Sequence, residues 1–492
     1  MRKLLLASAV TLGGFLGVSG PASAQLATFS ENPNAPMPPP TQWSRSGAFG
    51  FVQNTPPIPA PGTAVVRISG YIVEYMGVTG GQSRANEASP TGSPGVGGSK
   101  LGNPTFFGYI RLYPSLEGVA ANGLKYGAFA EIRQDSGIGT GAGGGAFGSI
   151  SGQDPARGNL YWRRAFVYFG EDQIGTFRLG AADQPTSLFL TGTAENFDNG
   201  GWNGDAPAII PNNLGVTWPF PDVGNLYTTQ KAVYLSPQFF GFDFGVSYEP
   251  NTSSIFGGSL TCGTTDLQNL TSPGAGFNGN AGPGCANLSS TGSADVTRRR
   301  NTFDGVLRYR GSFGPVGVAV TVGGISSGKV NNSDTAPFPS GVFQRTGLEV
   351  GDFGAQVTYG GLALQAHADV GTFNPNSQWA NLPIKGESQG DAWVVGASYT
   401  IGPLVFGGSW FETNGAGNQT PANRPVGVGT LTELGAAAGA TYSVTPGFGF
   451  TASYIWGQRK QNDFDLINSI SGSPLHNKTD VQAGIVGAYV KW

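Results

Sequence analysis

Only two cysteines and two histidines occur in the 492 residues, and charged side chains make up 12% of them. A structural metal centre takes about four thiolate, imidazole or carboxylate ligands. Cys262 and Cys285 are joined by no other cysteine, and His367 and His476 lie far apart in the chain. No metal and no cofactor is expected from that pattern. Soluble domains carry about 25% charged residues, so the shortage argues against a surface wetted on every side. The formal net charge is −3, the wrong sign for nucleic acid, which needs a basic patch. Beyond the first residues no stretch approaches the roughly 20 apolar residues of a membrane-spanning helix. With 81 glycines in the chain, each costing about 1 kcal/mol against Ala in a helix interior, long helices are disfavoured as a class.

What is present begins with an export signal. Met1, Arg2 and Lys3 precede the apolar run Leu4 to Val18, and Ala22-Ser23-Ala24 follows. That order predicts a signal peptide over 1–24, cut before Gln25. Residues 25–62 include Pro38-Pro39-Pro40 and Pro56-Pro57, the composition of an extended arm. In an exported chain the two cysteines are expected to form a disulfide. The Gly, Asn, Ser and Thr between them place it in one exposed loop.

The remainder, 63–492, alternates. Phe242, Phe244, Val246 and Tyr248 interleave with Asp243, Gly245, Ser247 and Glu249, and the run is read as a strand from Phe240. Phe448, Phe450, Ala452, Tyr454 and Trp456 interleave with Gly449, Thr451, Ser453, Ile455 and Gly457. Leu362, Leu364, Ala366, Ala368 and Val370 interleave with Ala363, Gln365, His367, Asp369 and Gly371. Successive strand side chains point to opposite faces, so each run has one apolar face and one small or polar face. Runs of about 9–11 residues suit a tilted crossing of a bilayer. Aromatics at their ends, such as Tyr248 and Tyr399, suit interfacial girdles. Unpaired backbone groups in lipid cost several kcal/mol each, so such a sheet must close on itself.

The fold class predicted is all-β, a transmembrane antiparallel barrel of about 16 strands. They centre near Ser69, Tyr109, Phe129, Phe166, Phe177, Val233, Phe244, Leu307, Val318, Ala355, Ala366, Val395, Phe406, Ala437, Ala452 and Gly487. Short links such as Tyr359-Gly360-Gly361 read as periplasmic turns. Long ones (80–103, 137–157, 250–297, 324–345, 372–390, 413–429 and 459–478) read as extracellular loops. The link 181–228 after the fifth strand is long enough to expect a function.

Val66-Arg67-Ile68-Ser69-Gly70-Tyr71, then Leu160-Tyr161-Trp162-Arg163-Arg164-Ala165-Phe166-Val167-Tyr168-Phe169-Gly170, then Gly175-Thr176-Phe177-Arg178-Leu179-Gly180 resemble, in that order, Gram-negative general porins of the alphaproteobacterial type. The layout matches from about residue 64 to the end. The final Tyr489-Val490-Lys491-Trp492 resembles the aromatic-ended strand read by the outer-membrane assembly machinery, with Trp492 where Phe is usual. The resemblance implies a homotrimer in outer-membrane lipid and lipopolysaccharide. It implies a water-filled channel for ions and small hydrophilic solutes. It also implies that 181–228 folds inward as the constriction, with Glu195, Asp198 and Asp205 on its acidic side. Basic candidates on the opposite wall are Arg67, Arg111, Lys125, Arg133 and Arg163 or Arg164. Arg111 fits best, sharing a face with Tyr109 and Tyr113. Ala181 departs from the family pattern, in which an Arg commonly follows Leu-Gly.

Two other classes compete. A sugar- or anion-selective channel would use aromatic ladders or an Arg/Lys excess in the lumen, and Tyr109, Tyr113 and the basic residues keep it open. An outer-membrane lipase or protease would need a nucleophile beside His367 and Asp369. No serine motif accompanies them, and neighbours two apart on a strand are not oriented as a triad is, so no enzyme activity is expected.

Overall fold

A computed structural model describes residues 59–80, 104–135, 161–198, 201–204, 206–210, 214–220, 229–251, 299–329, 345–375, 382–387, 389–419 and 423–492. The alternation becomes strands β1 (Thr63–Gly80), β2 (Thr105–Val119), β3 (Lys125–Asp135), β4 (Tyr161–Glu171), β5 (Gly175–Ala181) and β6 (Gln230–Leu235). The chain continues with β7 (Phe242–Asn251), β8 (Arg299–Phe313), β9 (Val316–Lys329), β10 (Glu349–Tyr359), β11 (Leu362–Thr372) and β12 (Gly390–Ile401). It ends with β13 (Leu404–Gly415), β14 (Leu431–Thr445), β15 (Phe448–Gln461), β16 (Phe464–Asp465), β17 (Ile470–Ser471) and β18 (Lys478–Lys491).

All but β16 and β17, which pair only with each other, form one closed antiparallel barrel of sequential neighbours. Closure is made by β1 against β18, from Tyr71↔Lys491 to Gly80↔Gln482. Backbone bonds in both directions between Gly70 and Trp492 extend it, each 3.1 Å. Every sequence-derived strand centre lies in a barrel strand.

The strand period sorts residues between two solvents. On β7, Phe242, Phe244, Val246 and Tyr248 are exposed, whereas Asp243, Ser247 and Glu249 are buried. The same parity exposes Leu362 and Leu364 and buries Gln365, His367 and Asp369 on β11. The charged rows face inward and the apolar rows face outward, the inverse of a soluble sandwich and the arrangement a lipid exterior demands. Outward rings pack side by side at Phe169–Phe177, Phe177–Tyr234 and Tyr234–Phe244, with centroids 5.5, 4.8 and 5.8 Å apart.

Strand edges differ from expectation. β7 starts at Phe242; Phe240 sits in the preceding turn at φ 51°. A two-residue connection needs such a left-handed position to reverse the chain. β9 runs to Lys329 and β15 to Gln461, beyond the loop starts predicted at 324 and 459. Pairing continues past those points because cross-strand bonds do not depend on lipid. Cys262, Cys285, the segment 1–24, nearly all of the arm 25–62, and Asp205 lie outside the described residues.

Candidate functional site

The connection between β5 and β6 lies inside the barrel. Its described parts, 182–198, 201–204, 206–210 and 214–220, are almost wholly buried. They include a single helical turn at Pro185–Leu188 and 3-10 turns at Gly201–Asn203 and Ala206–Ile209. The segment is a strap around the lumen wall, and the wall receives it on glycines. A Cβ on Gly245 of β7 would stand 2.8 Å from the Pro185 side chain. On Gly407 of β13 it would stand 2.8 Å from Phe197, on Gly439 of β14 2.6 Å from Asp198, and on Gly457 of β15 2.5 Å from Trp202. On Gly77 of β1 it would stand 2.7 Å from Ile209. Real side chains essentially never pack that closely, so the strap lies where the wall has no side chains. At Gly192 the strap itself takes φ 84°, a left-handed conformation open to glycine at no steric cost.

Polar contacts fasten it. Thr186 N–H donates to Asp304 Oδ1 at 3.1 Å. Ala194 N–H donates to Gln365 Oε1 at 3.2 Å, Gln365 Nε2 to Asn196 Oδ1 at 2.8 Å, and Asn196 Nδ2 to Ser398 Oγ at 2.9 Å. The Trp202 indole N–H reaches the carbonyls of Ala436 and Trp456 at 3.1 and 3.0 Å. Thr217 N–H donates to Glu433 Oε2 at 3.1 Å. Trp202, Trp218, Phe197 and Phe220 are each no more than 2% exposed. Full burial of such a ring is worth roughly 2–3 kcal/mol.

The acidic residues of the strap are turned to this wall. Glu195 is 3% exposed and accepts a hydrogen bond from Asn203, and Asp198 is 0% exposed against Gly439 of β14. Gly439 of β14 leaves the recess that takes the Asp198 side chain.

The wall of β1–β5 is built from large side chains. Tyr71, Tyr109, Tyr113, Phe129 and Phe166 form a row, with centroid spacings of 5.6, 6.4, 6.1 and 5.4 Å for Tyr71–Tyr109, Tyr71–Tyr113, Tyr113–Phe129 and Phe129–Phe166. Arg111 lies 4.4 Å over the Tyr109 ring and 5.3 Å over Tyr71. Arg133 pairs with Glu131. Arg164 bridges Glu131 at 3.2 Å and Asp183, near the strap's start, at 2.8 Å.

The structure thus brings Arg111, Arg133 and Arg164 onto neighbouring strands. Arg67 is four residues along β1 from Tyr71, Arg111's cross-strand partner, and is tied to Glu117 at 2.8 Å. At about 3.3 Å per residue, that is roughly 13 Å down the strand. Lys125 opens β3 and pairs with Asp172 in the β4–β5 turn. It is eight residues from Arg133 on β3, or about 26 Å. Those two mark the short-turn end of the lumen, not the level of Arg111. Sequence reasoning passed over Glu131, Asp183 and Arg178, and the ion pairs Asp243–Arg308 and Glu249–Arg299. For all but Asp183, which lies past the end of β5, the signal was available: each has the inward parity of its strand. His367 is 2% exposed beneath the strap.

A closed barrel with lipid-compatible rows outside, charged rows inside and a strap within its lumen defines an outer-membrane channel. The chain belongs to the Gram-negative porin family, whose sequence profile matches residues 9–486. It forms a channel for passive diffusion in the outer membrane. No curated protein sequence matches it. Among solved structures it is similar to the anion-selective porin from Comamonas acidovorans, at 14% identity over 87% of this chain and 100% of that one, with TM-score 0.48. It is also similar to the outer-membrane channel DcaP of Acinetobacter baumannii, at 12% identity over 88% and 99%, with TM-score 0.47. OmpT of Vibrio cholerae, in a trimer form, is 11% identical over 87% and 99%, with TM-score 0.43.

Proposed function

We propose that 181–228 is the constriction of a general diffusion pore, and that the basic side of the remaining gap is Arg111, Arg133 and Arg164. The observation that carries the reading is the strap's seat on Gly245, Gly407, Gly439, Gly457 and Gly77. A segment so placed occupies lumen cross-section. Fixed guanidinium groups beside the gap bias the choice of ion. Polar solutes orient in the field between these groups and the carboxylates of Glu195 and Asp198, which act from within the strap; Asp205 belongs to the same acidic set. Arg67 and Lys125 act at the short-turn mouth. No chemical step is involved, so no catalytic residue is assigned.

A sugar-selective channel would use the aromatic row as a ladder. Tyr71, Tyr109, Tyr113, Phe129 and Phe166 are all at most 8% exposed. Their faces are spent on one another and on arginine, which favours the diffusion reading.

The remaining assignments complete it. Residues 1–24 are the export signal, 25–62 an extended arm, Cys262 and Cys285 a loop disulfide, and Trp492 the assembly signal. The pore works as a homotrimer among outer-membrane lipids and lipopolysaccharide. Planar-bilayer recordings of a variant lacking 193–205 test the constriction. The expected result is a conductance raised roughly twofold or more, because the narrowest section dominates resistance. Unchanged conductance would place the constriction elsewhere.

A further inference from the structure

The inner face of β10 and β11 holds a cluster that diffusion does not use. Asp352 and Asp369 are direct cross-strand partners, at 1% and 0% exposure. Like charges directly opposite destabilise a strand pair, and a buried charge needs a partner. Among the described residues, the ion-pair partner of both carboxylates is His367, whose Nε2 lies 2.9 Å from Asp352 Oδ2 and 3.4 Å from Asp369 Oδ1. Even a protonated imidazole carries one charge against two. Asp369 shows the deficit most plainly, since neither of its buried oxygens has a hydrogen-bond partner among the described residues.

The other ring nitrogen fixes the tautomer. His367 Nδ1 is 2.8 Å from the carbonyl of Thr191 in the strap. A carbonyl only accepts, so Nδ1 carries a proton and donates it. In the neutral ring Nε2 then presents a lone pair to two anionic oxygens, an arrangement that a cation among them satisfies. One donor atom from each of the three residues falls within 4.8 Å of the others. Ligand bonds of about 2.0–2.1 Å put neighbouring donors roughly 3.0–3.4 Å apart, close to the two spacings found. A backbone carbonyl on the second ring nitrogen is also the usual outer contact of a metal-bound histidine. Gly354 faces His367 across the strand pair, and a Cβ there would stand 2.9 Å from Nδ1. Phe220 closes the ring edge-on at 4.8 Å.

We propose that Asp352, His367 and Asp369 bind one divalent first-row transition cation and thereby pin the strap to the wall through Thr191. The charge closes: two carboxylates and a neutral imidazole around a doubly charged ion. One imidazole nitrogen with carboxylate oxygens suits zinc among such ions. The cluster was invisible as a metal motif because Asp352 comes from the adjacent strand, at no recognisable spacing from His367-Ala368-Asp369.

The test uses full-length protein refolded in detergent with zinc chloride, passed over a desalting column and measured by elemental mass spectrometry. Wild type and H476Q are expected to retain one zinc per chain. D369N and H367Q should retain at least tenfold less while keeping the heat-modifiable gel mobility of a folded barrel. Zinc should also raise the melting midpoint of wild type and not of D369N, which separates a bound ion from a structural ion pair. Wild type holding no more zinc than H367Q would overturn the proposal, as would equal retention by all four proteins. The 193–205 deletion keeps the failures distinct: zinc bound with conductance unchanged sinks the constriction and leaves the metal site standing.

Discussion

The inner faces of β1–β5 and of β12–β15 differ first in side-chain size. The former present Tyr71, Tyr75, Tyr109, Arg111, Tyr113, Phe129, Arg133, Arg164, Phe166 and Arg178; the latter, apart from Val394, Phe411, Ile455 and the Glu433–Arg459 pair, present Ala392, Gly396, Ser398, Gly407, Ser409, Ala437, Gly439, Thr451, Ser453 and Gly457. Large side chains fill their own half of the lumen and stack on one another. Small ones leave room for a second layer, and the strap supplies it. One barrel therefore has two kinds of wall, a barer one of large side chains that carries Arg111, Arg133 and Arg164 and meets the strap at Gly77 and Asp183, and a lined one whose covering narrows the pore.

The largest expected effect comes from emptying the lined side. Trp202→Ala removes a ring at 1% exposure and its bonds to Ala436 and Trp456. A loss of about 3–5 kcal/mol is expected, read from urea unfolding by gel mobility. A loss well under 1 kcal/mol would mean that the strap rests on the wall without depending on it. A smaller loss is expected from crowding the same contact. Gly457→Ala places a methyl 2.5 Å from the Trp202 ring and from Val216, and should cost about 1–3 kcal/mol. Gly402→Ala serves as the control for general handling: nothing lies within 4 Å of its Cβ, but its φ of 56° adds a turn strain of its own.

On the barer side, the change in function should outweigh the change in stability. Arg111→Ala gives up cation–π contacts worth about 0.5–2 kcal/mol. Its reversal potential under a salt gradient should shift toward cation preference. An unchanged potential would remove Arg111 from the gap.

The smallest effect lies outside the lumen, in the β16–β17 hairpin. Asp465 accepts from Ile467 N–H and Asn468 N–H at 2.9 and 2.8 Å, and from His476 Nδ1 at 2.9 Å. Burial pushes its carboxyl up, but these bonds and the Asn468 side chain outweigh burial and hold it below the ordinary 3.8. A depressed acid contributes stability above its unfolded pKa and loses it as pH falls through the folded value. Hydrogen exchange at Ile467 and Asn468 should therefore quicken only below about pH 3.8. Equal protection at acid and neutral pH would contradict this.

Strand number, strand centres and facing were legible because a period of two between two unlike solvents leaves its mark residue by residue. Phe244 against Asp243 needs no partner to be read. The lined wall was not legible. Gly449, Thr451, Ser453 and Gly457 look the same whether their neighbour is water or a packed strap, and they read as a wet lumen. The strap's length and its Phe197 and Trp202 pointed inward correctly, but the seat of Asp198 depended on a recess made by Gly439, more than two hundred residues away. Arg133 and Arg164 were found by type. Their common partner Glu131 was missed because an inward acid beside two arginines has no signature in one strand alone.

The division between a barer and a lined wall is tested most directly by cysteine accessibility in the open pore. In a background with Cys262 and Cys285 replaced by serine, Arg111→Cys and Ser398→Cys would each be exposed to a charged thiosulfonate reagent during single-channel recording. Arg111→Cys should react and step the conductance. Ser398→Cys, whose native hydroxyl lies 2.9 Å from Asn196 of the strap, should stay silent until 193–205 is deleted, and react then. Equal reactivity of the two positions in the intact pore would contradict the account.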